Sequence, residues 1–218
     1  MSGALQAVYQ NQRSFIAPVP VVGSALGGGF FAGQISTAGN GIADYNLVIG
    51  PVASAQTTGV QWKTTLTSSG GTSSVIDGPT NSANMNSASH PAAQFCEGRT
   101  IGGFSDWYMP AKNELEVCYY NLKPTTTANI TARGSNTNAV PSRGSNYTAG
   151  TPAQTSATSF RTGNSEAFAS GAYWSSTQVT PPPGSNTQAW FQTFGNGNQY
   201  FYFVNYSRYV RAIRRVAV

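Results

Sequence analysis

Apolar positions along this chain fall mostly in short β-rich runs closed off by Gly, Asn or Ser. Phe30–Ile35, Tyr45–Pro51 and Val60–Thr65 are three such runs and predict strands. The pattern returns late, at Ala172–Thr177 and Ala189–Phe194, and continues in strands to Val218. A Pro181–Pro183 loop and a Gly195–Gly197 turn separate these late runs. Helical spacing occurs twice. Asn81–Glu97 places Ala92, Ala93, Phe95 and Cys96 on one side. In Ala111–Leu122 the positions Leu115, Cys118, Tyr119 and Leu122 recur at intervals of three, four and seven. Pro110 sets the first turn of this second helix and Pro124 ends it. Strand runs at both ends and helices between them predict an α+β fold.

Residues 1–26 read as an arm. Ala4–Ser14 predicts a short helix, Phe15–Val22 runs extended through Pro18 and Pro20, and Gly27–Gly29 reads as a hinge. The remainder, 27–218, is one domain interrupted by a polar excursion at 124–170. That excursion is rich in Thr, Ser, Asn, Ala and Gly, and its apolar anchors are Val140, Tyr147, Phe160 and Phe168. Long irregular segments are uncommon inside a domain, so order is expected only where it docks. Met1–Gln12 lacks the basic and apolar regions of a secretory signal. Phe15–Gly33 is uncharged, but its prolines and glycines would leave backbone groups unsatisfied in lipid, so no membrane insertion is expected.

Composition sharpens this reading. Only 9% of residues are charged, against about a quarter in ordinary globular domains, while 12% are aromatic. A polar but uncharged surface with enough apolar area to fold fits extracellular β-rich and virion proteins better than a cytosolic enzyme. The net charge of +5 invites a nucleic-acid reading, yet the basic residues are scattered except for Arg208, Arg211, Arg214 and Arg215. Two cysteines, Cys96 and Cys118, exclude a disulfide-rich scaffold and leave open one bridge or two buried thiols. Asp106 and Glu114 could serve catalysis or a metal, but capping and turn chemistry is the favoured reading of both. His90, the one histidine, reads as a helix-start residue beside Pro91, with no orienting acid nearby. Trp174 is expected in the core, with Ser175 and Ser176 hydrogen-bonding locally. Seven acids are few for a calcium site, so no metal, cofactor or catalytic residue is expected.

Four pieces occur in order: GGFSDWYMPAKNEL at 102–115, YWSST at 173–177, AWFQTF followed by GNGNQ at 189–199, and YVRAIRR at 209–215. Together they resemble the C-type-lectin-fold domains of phage tail proteins and adhesins, and in particular the variable proteins of diversity-generating retroelements. The resemblance implies two helices packed on short antiparallel sheets. It also implies that the YVRAIRR strand is scaffold, its guanidiniums tying loops to carbonyls and carboxylates. Nucleic-acid binding and contact with a polyanionic glycan are the other two readings of these arginines.

The segment 195–209, GNGNQYFYFVNYSRY, has the Tyr- and Asn-rich composition of a paratope rather than the Val, Ile and Leu of a core strand. An ordinary half-buried aromatic hairpin is the competing reading. By position, the resemblance places Asn196, Asn198, Tyr200, Tyr202, Asn205, Tyr206 and Ser207 at the surface, with Phe194, Phe201 and Val210 facing inward. The function implied is a phage virion adhesin, of the tail fibre or tail tip, that binds a host cell-surface receptor, protein or glycan. A structural decoration or connector protein is the alternative. The arm would contact other virion proteins, and a homotrimer would multiply weak single sites.

Overall fold

A computed structural model describes residues 18–181 and 184–218. The expected arm helix Ala4–Ser14 lies outside the described residues. Among the described residues, two five-stranded sheets and four α-helices make up the fold, which is mixed α and β but mostly β.

The first sheet runs β1 (Ala25–Leu26), β2 (Gly29–Ile35), β3 (Tyr45–Ile49) and β10 (Ile213–Ala217), with β5 (Ala139–Val140) pairing the outer side of β2. All its pairings are antiparallel. The second runs β4 (Gln56–Gln61), β9 (Ser207–Arg211), β6 (Ala172–Gln178), β7 (Gln188–Thr193) and β8 (Gln199–Phe203). It is antiparallel except for a single parallel bridge between Tyr173 and Tyr209. β9 and β10 are one continuous segment that leaves the second sheet and enters the first at Ala212. There the Ala212 N–H donates to Ala55 O (2.8 Å) and Ala212 O accepts from Gly50 N–H (3.0 Å). The C-terminal strand is therefore the seam between the sheets.

The helices are α1 (Val52–Ala55), α2 (Gly78–Ala83), α3 (Pro91–Glu97) and α4 (Lys112–Leu122). The continuous helix expected over Asn81–Glu97 is not formed: Asn84–His90 separates α2 from α3. Pro91 pushes His90 out of the helical region, to φ −126° and ψ 68°, and within the break the Ser87 and Ser89 hydroxyls meet one another (3.0 Å) and His90 Nδ1 (3.0 and 3.1 Å). His90 does start α3, as the sequence indicates. Helix α4 matches its spacing, and its buried face carries Leu115, Cys118, Tyr119 and Leu122. It comes close to β2 because Gly33 sits at a bulge with φ +130°, where a Cβ would lie 2.2 Å from Asn121 Nδ2. Asn121 then donates to Ala32 O at 2.8 Å. The Gly27-Gly28 step, expected as a hinge, is instead the tight turn of the β1–β2 hairpin.

Two apolar clusters fill the interior. One joins α4 to the first sheet and includes Ile35, Leu47, Phe168, Tyr173 and Phe194. The other lies under α2 and α3 and includes Trp62, Met85, Trp107, Trp174 and Val210. Trp174 is fully buried, as expected. The serines beside it reach further than local bonds: Ser175 Oγ donates to Trp190 O (3.0 Å) and Ser176 Oγ accepts from Asn81 Nδ2 (3.4 Å). β6 is buried on both faces, so its hydroxyls need partners from neighbouring segments.

The excursion 124–170 is ordered along its length rather than at isolated points. Buried Lys123 donates to Thr127 O (2.6 Å), Asn129 Oδ1 (2.7 Å) and Pro152 O (3.1 Å). Asn129 in turn donates to Thr148 O (3.0 Å) and Pro152 O (2.9 Å). Asn136, Arg143 and the Tyr147 hydroxyl converge on the fully buried carboxylate of Glu116. Phe160, in a 3-10 turn at Thr158–Phe160, and Phe168 complete its attachment to the core.

The Phe194 ring stacks on Phe168 at 3.8 Å and meets Tyr173 (4.9 Å) and Tyr119 (5.6 Å) edge-on. Phe194→Ala is expected to destabilise the fold by about 3–5 kcal/mol, because the cavity is walled by three other elements. Urea denaturation of the two proteins measures this.

Candidate recognition surface

Three of the four C-terminal arginines are committed internally. Arg211, 1% exposed, donates to Gly50 O (2.8 Å), Glu166 O (2.9 Å) and Glu166 Oε2 (2.7 Å), and burial pulls its pKa down to about 10. Arg214 makes a two-pronged pair with Asp106, at 2.7 and 2.8 Å, and also reaches Gly27 O (3.2 Å). Asp106 is thus an ion-pair partner of the C-terminal strand rather than the capping or turn residue expected. Arg215 Nε donates to Glu114 Oε1 (2.8 Å), and its other end bonds Ile76 O (2.5 Å). Glu114 does act at the start of α4, accepting the Ala111 N–H at 2.8 Å, and it also accepts from the Tyr108 hydroxyl (2.6 Å). Burial pushes the Glu114 carboxyl above its ordinary value, and adjacent Arg215 opposes that rise.

Arg208 differs. Its guanidinium lies over Phe191 (3.9 Å) and Trp174 (4.8 Å), within reach of Tyr202 (5.6 Å), and among the described residues it pairs with no carboxylate. It sits directly under the strand–turn segment that the sequence singles out.

In that segment the β7–β8 hairpin closes through Thr193 N–H to Asn198 O (2.9 Å) and Gly197 N–H to Thr193 O (2.9 Å). Gly197 takes φ +74°, and a Cβ there would lie 2.5 Å from the Tyr119 ring, so glycine is required. The β8–β9 turn is tied at three consecutive carbonyls. Val204 O accepts from Lys63 N–H (3.0 Å), Asn205 O from Gln61 Nε2 (2.7 Å) and Tyr206 O from Trp174 Nε1 (3.3 Å). The backbone is fixed while the side chains are left out in water. Tyr200, Tyr202 and Tyr206 are 44, 37 and 51% exposed, and Phe203 is exposed beside them. The Tyr202 and Tyr206 rings meet edge to face at 4.6 Å.

Of the seven positions named from the sequence, Tyr200, Tyr202, Tyr206 and Ser207 are exposed, whereas Asn196, Asn198 and Asn205 are half-buried. Asn196 is spent on the turn: its Oδ1 accepts from Asn198 N–H (3.2 Å) and its carbonyl from Ile130 N–H (2.9 Å). Tyr202, Asn205, Tyr206 and Ser207 cluster around the β8–β9 turn. Phe194 and Val210 are buried as expected, but Phe201 is half-buried and lines a groove on the other face of β8.

That groove, ≈ 420 Å³, is lined by Lys112, Arg133, Trp190, Gln199, Tyr200 and Phe201. The sequence gives no signal for Lys112 or Arg133 as site residues, since each is an isolated cation in its own segment. A second cavity of ≈ 340 Å³ is lined by Tyr120, Tyr147, Arg143 and the loop around it, and there the cation is neutralised by Glu116.

Both nitrogens of His90 lie against serine hydroxyls, Nε2 at 2.7 Å from Ser69 and Nδ1 at 3.0 Å from Ser87. Cys96 and Cys118 are free, buried in different clusters, and burial pushes both thiols up. Among the described residues no three His, Cys, Asp or Glu side chains form a metal-binding group, and no helix is long and apolar enough to cross a membrane.

The chain is thus a mostly β domain that displays exposed tyrosines on a tied turn, framed by buried arginines. A family model, the Lcl C-terminal domain, matches residues 52–214, three-quarters of the chain, and the protein belongs to that family. The family is associated with C-type-lectin-like domains of phage-tail adhesins and variable proteins. No curated protein matches the chain.

Hydrogen bonding to Arg214 lowers the pKa of Asp106. A depressed folded-state pKa contributes stability above the unfolded value of about 4, and this is lost as pH falls through the folded value. Asp106→Asn is therefore expected to lower stability at pH 7 by about 1 kcal/mol or less, the carboxylate being half exposed, and to flatten the acid limb. Denaturant titrations between pH 7 and pH 3 check this.

Proposed function

We propose that this chain is the receptor-binding part of a phage virion adhesin, of the tail fibre or tail tip, that contacts the host bacterial surface. One observation carries the reading: Tyr202 and Tyr206 stand in solvent at a turn whose successive carbonyls are all bonded to the body of the domain, with Tyr200 exposed further back on β8. Tyrosine offers a large amphipathic contact area with few rotatable bonds, and a fixed backbone removes most of the ordering cost of binding. Ser207 extends this surface, while Asn196, Asn198 and Asn205 support it. The family assignment points the same way.

The protein acts by binding, without catalysis, cofactor or metal. Three of its four C-terminal arginines serve the frame and not a nucleic acid: Arg211, Arg214 and Arg215 spend their donors on carboxylates and carbonyls within the chain. The remaining parts of the reading are location in the phage tail, attachment to other virion proteins through residues 1–26, and a homotrimer in which several weak sites act together.

Virions carrying Tyr202→Ala and Tyr206→Ala are expected to assemble normally and to lose adsorption to host cells. Truncating a hot-spot aromatic costs on the order of 2 kcal/mol per site, about thirtyfold, before multivalency enlarges it. Unchanged adsorption would overturn the reading. Failed assembly with normal adsorption of the particles that do form would favour the connector role instead.

A further inference from the structure

The outer edge of β8 carries a second feature, distinct from the Tyr202–Tyr206 face. Among the described residues β8 ends its sheet and pairs only with β7. The Val204 N–H to Thr187 O bond (3.0 Å), with the register Ala189↔Tyr202 and Phe191↔Tyr200, sets the alternation along the strand. The backbone groups of Tyr200 and Tyr202 therefore point inward to β7, and those of Gln199, Phe201 and Phe203 point outward. Arg133 Nε takes Gln199 O (2.8 Å) and Tyr206 N–H takes Phe203 O (3.2 Å). The N–H and C=O of Phe201 have no partner on that edge among the described residues.

Lys112 and Arg133 flank this edge in the groove. The Lys112 ammonium lies over the Trp190 ring (4.6 Å), and the Arg133 guanidinium lies 5.8 Å from the Tyr200 ring centroid. Neither cation meets a carboxylate among the described residues, whereas four other arginines each do. Gln192, directly opposite Gln199 and two residues from Trp190, is 1% exposed, and neither atom of its amide has a partner. The backbone groups of Phe201 and the charges of Lys112 and Arg133 are thus left unused where the strand edge is open, and the Gln192 amide is left unused behind it.

We infer that the β8 edge and the Lys112–Arg133 groove dock an extended acidic segment of a partner protein, which adds to the sheet beside Phe201 and places a carboxylate between the two cations. Main-chain hydrogen bonds at Phe201 supply the pairing, and the charged pair supplies selectivity for acid. A second copy of this chain is a poor occupant. Of its seven carboxylates, Asp106, Glu114, Glu116 and Glu166 are in ion pairs, Asp44 is held by Thr37, Asp77 caps α2, and Glu97 is half-buried at the end of α3 against the Ser82 hydroxyl. This deepens, and rests on, the reading of the β7–β9 end as a recognition surface, and names a protein as what it meets there.

The test titrates the full chain with a blocked heptapeptide alternating Thr and Glu, with the same peptide carrying Gln for Glu, and with dextran sulfate. The Glu peptide should bind, slow amide exchange at Phe201 and weaken as salt rises, and the Gln peptide should bind at least about tenfold more weakly. The Lys112→Gln, Arg133→Gln double variant should remove the difference between the peptides. Tyr202→Ala with Tyr206→Ala should leave peptide binding intact, because those rings lie on the opposite face of β8. Equal binding of both peptides, no protection at Phe201, or occupation of the groove by dextran sulfate with no peptide binding would each overturn the proposal. Lost adsorption of the Tyr202, Tyr206 variant with no peptide binding would remove this inference and leave the adhesin reading standing.

Discussion

The guanidinium of Arg211 is the joint on which the other parts converge. It is buried against the Phe168 ring at 4.7 Å and holds, at one point, the end of β3 through Gly50 O and the end of the excursion through Glu166. Glu166 also accepts the Val52 N–H (2.9 Å), which fixes the entry to α1 and β4. An arginine suits this place because its planar fork satisfies several acceptors while staying charged. Removing one partner of such a buried pair leaves a stranded charge and costs about 3–5 kcal/mol. Arg214 and Arg215, further along the same segment in β10, do the same for the loops before α2 and α4. The last segment of the chain is a rail of guanidiniums that fastens loops from four regions.

This arrangement explains how a domain with so few charges stays specific. Four of its seven acids are used as counter-ions of arginines, and the remaining polar order comes from uncharged side chains. Lys123 and Asn129 hold the excursion through carbonyls, and Asn136 helps hold it through Glu116. With the frame closed in this way, the β8–β9 turn can expose tyrosines without needing them for stability. Lys112, Arg133 and Arg208 are then the basic side chains near that end left without an acid.

Much of the strand pattern could be read along the chain, because β-rich runs bounded by Gly, Asn and Ser leave a local trace. Helix α4 was readable for the same reason, through Leu115, Cys118, Tyr119 and Leu122. The break at Asn84–His90 turns on the effect of Pro91 on His90, which a window dominated by Ala92, Ala93, Phe95 and Cys96 hides. The excursion was opaque because its order is polar: Lys123 and Asn129 bond carbonyls that no periodicity announces. The Tyr-rich turn was visible as composition, yet Asn196 and Asn198 serve the hairpin itself, and only coordinates separate such turn residues from surface ones. The groove could not be read at all, since Lys112, Arg133 and Trp190 come from a helix, a loop and a strand far apart in sequence.

Separation of frame from surface is the central claim, and amide hydrogen exchange tests it most directly. Exchange would be compared between the unmodified chain and the Tyr202→Ala, Tyr206→Ala variant. Protection in β6, β9 and β10 should be the same in both, with changes confined to the β8–β9 turn. Faster exchange throughout those three strands would contradict the claim, because the tyrosines would then be part of what holds the fold.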